Sequence, residues 1–190
     1  MKKMDDVAAD MIPTRLIISI AIIAAITLLI AFGYRSLSIS SAENQVEQEC
    51  RKLESELFSM IASGVARDVG EMNADDGTIR SCSFVLPDSL IYLSFGVDPD
   101  PDNNGELQSG LTVNGTVIFY RVDGGSKKAV WLDEGFKFRE GFLIGNKWVI
   151  NGDGQGYILQ GGGKLTIIFE LVEKNDDIFI LIHGNDNIRP

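Results

Sequence analysis

The chain has 190 residues, with 17 Lys and Arg against 27 Asp and Glu, giving a formal net charge of −10. So acidic a surface repels nucleic acid and anionic lipid headgroups, and nucleic acid is not an expected partner. Two cysteines are too few for a disulfide-built scaffold, and the length leaves room for one domain of about 120–150 residues beyond any anchor.

Residues 1–12 form a short head. Asp10 is a good helix cap and Pro13 is tolerated in a first turn. Between Arg15 and Arg35 lie nineteen uncharged residues, Leu16 through Tyr34, reading LIISIAIIAAITLLIAFGY. At about 1.5 Å per helical residue the run spans roughly 28 Å, close to the ~30 Å hydrocarbon core of a bilayer. Lipid offers the backbone no partners, so the run predicts a transmembrane helix over 13–34. It exceeds the roughly 7–15 residues of a secretory signal core. The small-residue triplet Ser40-Ser41-Ala42 also lies beyond Arg35, so a retained anchor is expected rather than a cleaved signal. Lys2, Lys3 and Arg15 precede the span while Arg35 alone follows it directly, which puts the head in the cytoplasm and the rest outside. Past residue 35, thirteen basic residues stand against twenty-four acidic ones, a charge of −11 that suits cations, basic partners or plain solubility.

The helical pattern bends or simply continues through the serine-rich stretch Ser36 to Ser41. Val46, Cys50, Leu53, Leu57 and Met60 then recur at spacings of four and three, with Glu47, Glu49, Arg51, Lys52, Glu54 and Glu56 on the other faces. An amphipathic helix is expected within 35–66, stopping near Gly64 and packing its stripe on the protein's own sheet. From 67 to 190 the pattern changes to strands, expected at 81–86, 90–97, 116–122, 129–132, 142–145, 147–150, 157–159, 164–172 and 177–183. Asn114-Gly115 and Asn175-Asp176 are hairpin-turn signals. The near-continuous apolar runs Leu165–Val172 and Ile178–Ile182 mark central strands. The fold class is α+β: a long N-terminal helix, transmembrane then amphipathic, followed by an extracytoplasmic, antiparallel β-rich domain of sandwich type.

Candidate chemistry is sparse. Asp98-Pro-Asp100-Pro-Asp102-Asn-Asn104-Gly105-Glu106 places oxygen ligands at alternate positions, and from Asp100 it matches the first half of a calcium loop with its turn glycine. The twelfth position from Asp100 is Leu111 rather than glutamate, and Pro, Asp, Asn and Gly also build ordinary turns. Calcium held by Asp98, Asp100, Asp102, Asn104 and Glu106, and a solvated acidic loop, are both open. No other cofactor is expected. Cys50 and Cys82 are open to a disulfide closing a loop of about 32 residues, or to two buried thiols. Asn114-Gly115-Thr116 is a glycosylation triplet as well as a turn. The glycine-rich segments at 152–156 and 161–163 precede strands, whereas a phosphate cradle needs a helix N-terminus. The lone histidine, His183, ends a strand with no partner near it in sequence, and Trp131 and Trp148 fit strand cores. No nucleophile or acid–base set stands out, so an enzyme is not expected.

A basic head, a hydrophobic helix, an amphipathic continuation and a β-rich globular domain resemble the lollipop plan of type IV pilin-like proteins. Asp10 to Ile20 (DMIPTRLIISI) is similar to the N-terminal segment of archaeal pilin-like surface proteins. The likeness covers roughly the first 65 residues; Ala8-Ala9-Asp10 stands where such prepilins usually carry a basic residue followed by Gly or Ala. It implies a helix that anchors each subunit in the membrane and then packs into a filament core, with lipid and like subunits as partners. The expected role is a non-enzymatic, structural or assembly one at the cell surface. The alternative is a tethered binding module for calcium, a glycan or a protein.

Overall fold

The computed structural model describes residues 5–71, 74–108, 115–132, 135–150 and 155–184. The chain divides into two units, Met1–Ser41 and Ala42–Pro190. One helix, α1 (Asp5–Ser63), supplies the described part of the first unit and the opening segment of the second. It runs unbroken through the serine-rich stretch and ends one residue before Gly64.

In the first unit every described side chain from Thr14 to Leu37 is exposed. This is the one helix among the described residues that is long and apolar enough to cross a membrane. Ser19 Oγ donates to Arg15 O at 2.9 Å and Thr27 Oγ1 to Ile23 O at 2.8 Å, each one turn back, so neither hydroxyl needs water.

The second unit starts from the amphipathic stripe. Val46, Cys50, Leu53, Leu57 and Met60 are each at most 1% exposed, so the helix is part of the core. Its described residues form ten strands: β1 (Arg67–Asp68), β2 (Ile79–Leu86), β3 (Leu90–Phe95), β4 (Val117–Val122), β5 (Lys128–Trp131), β6 (Lys137–Ile144), β7 (Lys147–Ile150), β8 (Tyr157–Gln160), β9 (Gly163–Lys174) and β10 (Asp177–His183). In β2 the two-residue period is clean, with Cys82, Phe84 and Leu86 buried between exposed neighbours. Its outer edge is not left bare: Gln45 Nε2 donates to Val85 O at 2.8 Å and Lys52 Nζ to Ser83 O at 3.3 Å.

The larger sheet runs β1-β9-β10-β6-β7, with β2 also on β9, and the smaller runs β5-β4-β3-β8. β9 and β10 are central and joined by Asn175-Asp176, both at positive φ (54° and 65°), as a tight right-twisted hairpin requires. The sheets share a core in which the Phe95 ring of β3 meets Phe138 of β6 at 5.5 Å and Phe169 of β9 at 6.0 Å.

The α+β class holds, with mainly antiparallel sheets; within the larger one, β1 pairs with β9 and β6 with β10 in parallel. Each of those pairs is separated by other strands in the chain, which supplies the crossover that parallel pairing needs. Two expectations need correction, the start of β6 and the place of Trp131. β6 begins at Lys137 rather than 142, since Lys137, Arg139 and Glu140 hide a strand whose Phe138 is fully buried. Trp131 is no core residue: it is 58% exposed on the edge strand β5. Leu111 to Asn114, and with them the first hairpin signal and the glycosylation triplet's Asn114, lie outside the described residues.

Leu53 is the most demanding position on the stripe. Leu53→Ala should cost about 2–4 kcal/mol in urea unfolding of a chain beginning at residue 42. An unchanged midpoint would show that the helix is not part of the core.

Candidate functional site

On the face of the larger sheet away from the smaller one, β9 buries a carboxylate. Residues of β9 alternate faces, so Ile167, Phe169 and Leu171 enter the shared core while Glu170 and Val172 point the other way. There Val172, Phe179 and Leu181 form a second apolar cluster, roofed by Trp148 and Ile150 of β7 and by Val69. Glu170 is 2% exposed within this cluster.

Four donors converge on it. Arg67 Nε lies 2.6 Å from Oε1 and its NH2 3.1 Å from Oε2, a two-pronged pair. The Gly77 backbone N–H donates to Oε1 at 3.2 Å. His183 Nε2 stands 3.0 Å from Oε2, and against a carboxylate it is the proton-bearing nitrogen. Arg67 NH2 also donates to Trp148 O at 2.8 Å, and the Trp148 ring stacks on His183 at 4.3 Å, the two planes nearly parallel at 8°. A Cβ at Gly77 would overlap the Leu171 carbonyl oxygen, so only glycine brings that N–H so close.

Burial alone would raise the Glu170 pKa, but the hydrogen bond from His183 and the bonds and charge of Arg67 outweigh it, holding the group down at about 2. A carboxylate so weakly basic, with both oxygens engaged, is a poor proton acceptor for any substrate. It holds four strands together. In the sequence His183 has no partner nearby and Trp148 fits a plain strand core, while neither Arg67 nor Glu170 stands out. Their one early signal was an Arg, a Glu and a His each placed in or beside strongly apolar strand patterns.

In the acidic loop, two of the five candidate ligands meet the chain's own donors. Asp98 accepts from Lys127 Nζ at 2.7 and 3.1 Å, and the same ammonium donates to Asp100 O at 2.7 Å. Asp100, fully buried, accepts the N–H groups of Asn104 (2.8 Å) and Gly105 (3.2 Å) and lies 3.5 Å from Arg121. Asp102, Asn104 and Glu106 are exposed, and Asn104 Oδ1 is occupied by the Glu106 N–H at 2.8 Å. Asp98 and Asp100 thus face the chain's own cations, while the other three are exposed. Among the described residues no three His, Cys, Asp or Glu side chains gather to hold an ion. The Tyr92 hydroxyl is buried near these carboxylates, and burial, then Asp100 and Asp98, push its pKa up to about 12.

Cys50 and Cys82, for which a disulfide and two buried thiols were both open, are buried with free thiols. Cys82 borders the Glu49, Lys52 and Glu56 flank of α1, whereas Cys50 lies on the stripe near Tyr120 of β4. Burial, then Glu47 and Glu49, push the Cys50 thiol up to about 12, so it is unreactive.

In comparisons with known proteins, no family model, no curated sequence and no solved structure matches this chain.

Two predictions follow from the buried charges. Because Glu170 has a lowered folded-state pKa, its contribution is complete above its ordinary value of 4.5 and is lost as pH falls towards about 2. Denaturation between pH 6 and 2 should show a loss on the order of 3 kcal/mol that Glu170→Gln largely abolishes. Equal pH slopes in both proteins would contradict it. Asp100→Ala strands two loop N–H groups and Arg121, and should lower stability by about 3 kcal/mol in chemical denaturation. A change under about 0.5 kcal/mol, the range of ordinary surface substitutions, would show the loop to be idle.

Proposed function

We propose that this chain is a non-enzymatic, membrane-anchored surface protein of pilin-like build, with a structural or assembly role. The observation that carries the reading is the helix from Leu16 to Leu37, whose large apolar side chains (Leu16 61%, Ile23 64%, Leu29 71%, Leu37 72%) are exposed along its whole length. They lie on every side of the helix, so water is the one surrounding that does not suit them. Lipid suits them, and so do the helices of neighbouring subunits. The same helix continues into the core of a β-rich domain through Val46 to Met60, which is the plan that pilin-like subunits use. The basic bias of Lys2, Lys3 and Arg15 supports an N-terminus in the cytoplasm and a domain outside.

Protease added to intact cells should then remove the domain; protection lost only on lysis would reverse the orientation. Assembly is tested by shearing. The native chain should appear in surface filaments, and Ile22→Lys should abolish both filament and membrane fractions, because a charge at the span's centre is costly in lipid and among apolar helices alike. A chain that stays wholly in the membrane fraction, with Met1 or Lys2 intact by mass spectrometry, would overturn the filament role and leave an anchored domain.

A further inference from the structure

The loop after β3 carries oxygen atoms that the fold itself does not use. A calcium loop takes side-chain oxygens at its first, third and fifth positions, a glycine at the sixth and a main-chain carbonyl at the seventh. Counted from Asp100, those positions are Asp100, Asp102, Asn104, Gly105 and Glu106. Gly105 has φ of 84° and nothing crowds the place of a Cβ there, so the backbone turn alone calls for glycine. The Gln108 N–H donates to Pro99 O at 2.8 Å and closes the loop around them.

The carboxylates have different duties. Asp98 is spent on Lys127, and Asp100 is oriented by the Asn104 and Gly105 N–H groups. Asp102 makes no hydrogen bond or ion pair among the described residues. Asp98, Asp100, Asp102 and Glu106 bring four negative charges against the two positive ones of Lys127 and Arg121. The imbalance is the charge that one divalent cation offsets.

A separate feature points to a ligand. Tyr92 of β3 is 1% exposed, and its hydroxyl has no hydrogen-bond partner. It stands across the ladder from Arg121, whose guanidinium lies 3.5 Å from Asp100, and the charges of Asp100 and Asp98 reach it. A buried hydroxyl left without a partner is costly, and water on a metal ion is a strong donor for its oxygen.

We propose that this loop binds one calcium ion through Asp100, Asp102, the Asn104 amide oxygen and the Glu106 carbonyl, with Tyr92 accepting from a water on the ion. Calcium takes amide and main-chain carbonyl oxygens as well as carboxylates, so two acidic side chains are enough. Leu111 stands at the twelfth position in place of glutamate, so water completes the shell. Binding then falls in the range of about 0.1–1 mM seen in extracellular modules. Magnesium gives up its own waters reluctantly and suits such a loop less. The site does not rest on the pilin-like reading, and its failure would leave that reading untouched.

Thermal melting of the detergent-solubilised full chain, followed by tryptophan fluorescence, tests it in EDTA, in about 5 mM calcium and in about 5 mM magnesium. Calcium should raise the melting temperature by about 3 °C or more over EDTA, and magnesium by less than about half as much. Asp102→Ala removes a ligand that the fold does not use. It should leave the melting temperature in EDTA within about 1 °C and abolish the calcium shift. Tyr92→Phe should melt no lower than the parent chain in EDTA, because it removes an unpaired buried hydroxyl, yet show at most about half the calcium shift. Identical melting in calcium and EDTA, or an equal shift with magnesium, would overturn the proposal. So would a calcium shift that survives Asp102→Ala or that Tyr92→Phe leaves whole.

Discussion

A charged carboxylate with almost no exposure cannot persist in an apolar cluster unless donors surround it, and the larger sheet is arranged around that need of Glu170. Arg67 brings β1 to the end of β9, His183 fixes the last residue of β10, and Gly77 sets the approach to β2. Through Arg67 and the ring of His183 the same carboxylate also holds Trp148, and so draws β7 over the outer face. An apolar residue at 170 would satisfy burial equally well. It would not specify which strands meet there. The charge selects one arrangement of segments from distant parts of the chain, where packing alone would accept several.

The helix obeys a second constraint. A single element, α1, is apolar on all sides over its first half and on one stripe over its second. The change comes at the boundary between the two units, after Ser41. Before it, Ser19 and Thr27 bond to their own helix; after it, Gln45, Lys52 and Glu43 reach outward to strands β2 and β5. The two halves answer to different surroundings with one continuous backbone.

How much of this was legible in the sequence follows from the range of the interactions. Val46, Cys50, Leu53, Leu57 and Met60 announce themselves because a helical period is local, and so does the Asn175-Asp176 turn because its conformation is set by two residues. β9 and β10 were recognisable as central strands from apolar runs alone. Parallel pairing of β1 with β9 was not, since no local signal records which distant strand lies alongside. β6 was half hidden because Arg139 is buried beneath the Phe179 ring, 5.3 Å from its centroid, and reads in sequence as a surface residue. The clamp was invisible for the same reason: Arg67 and Glu170 are 103 residues apart. The acidic loop was found by its composition, but the cations that Asp98 and Asp100 face were not, because Lys127 and Arg121 come from beyond the motif.

The bonds from Gln45 and Lys52 to the outer edge of β2 have a consequence for how the chain is made. An uncovered strand edge is the part of a sheet most prone to join another chain. Synthesis proceeds from the N-terminus at about 5–20 residues per second, so segments that come first are available first. α1 is complete roughly twenty residues before β2 ends, which is a lead of a second or more at such rates. The guard is therefore in place before the edge it guards exists, and every newly made copy passes through its most adhesive moment already shielded from its siblings.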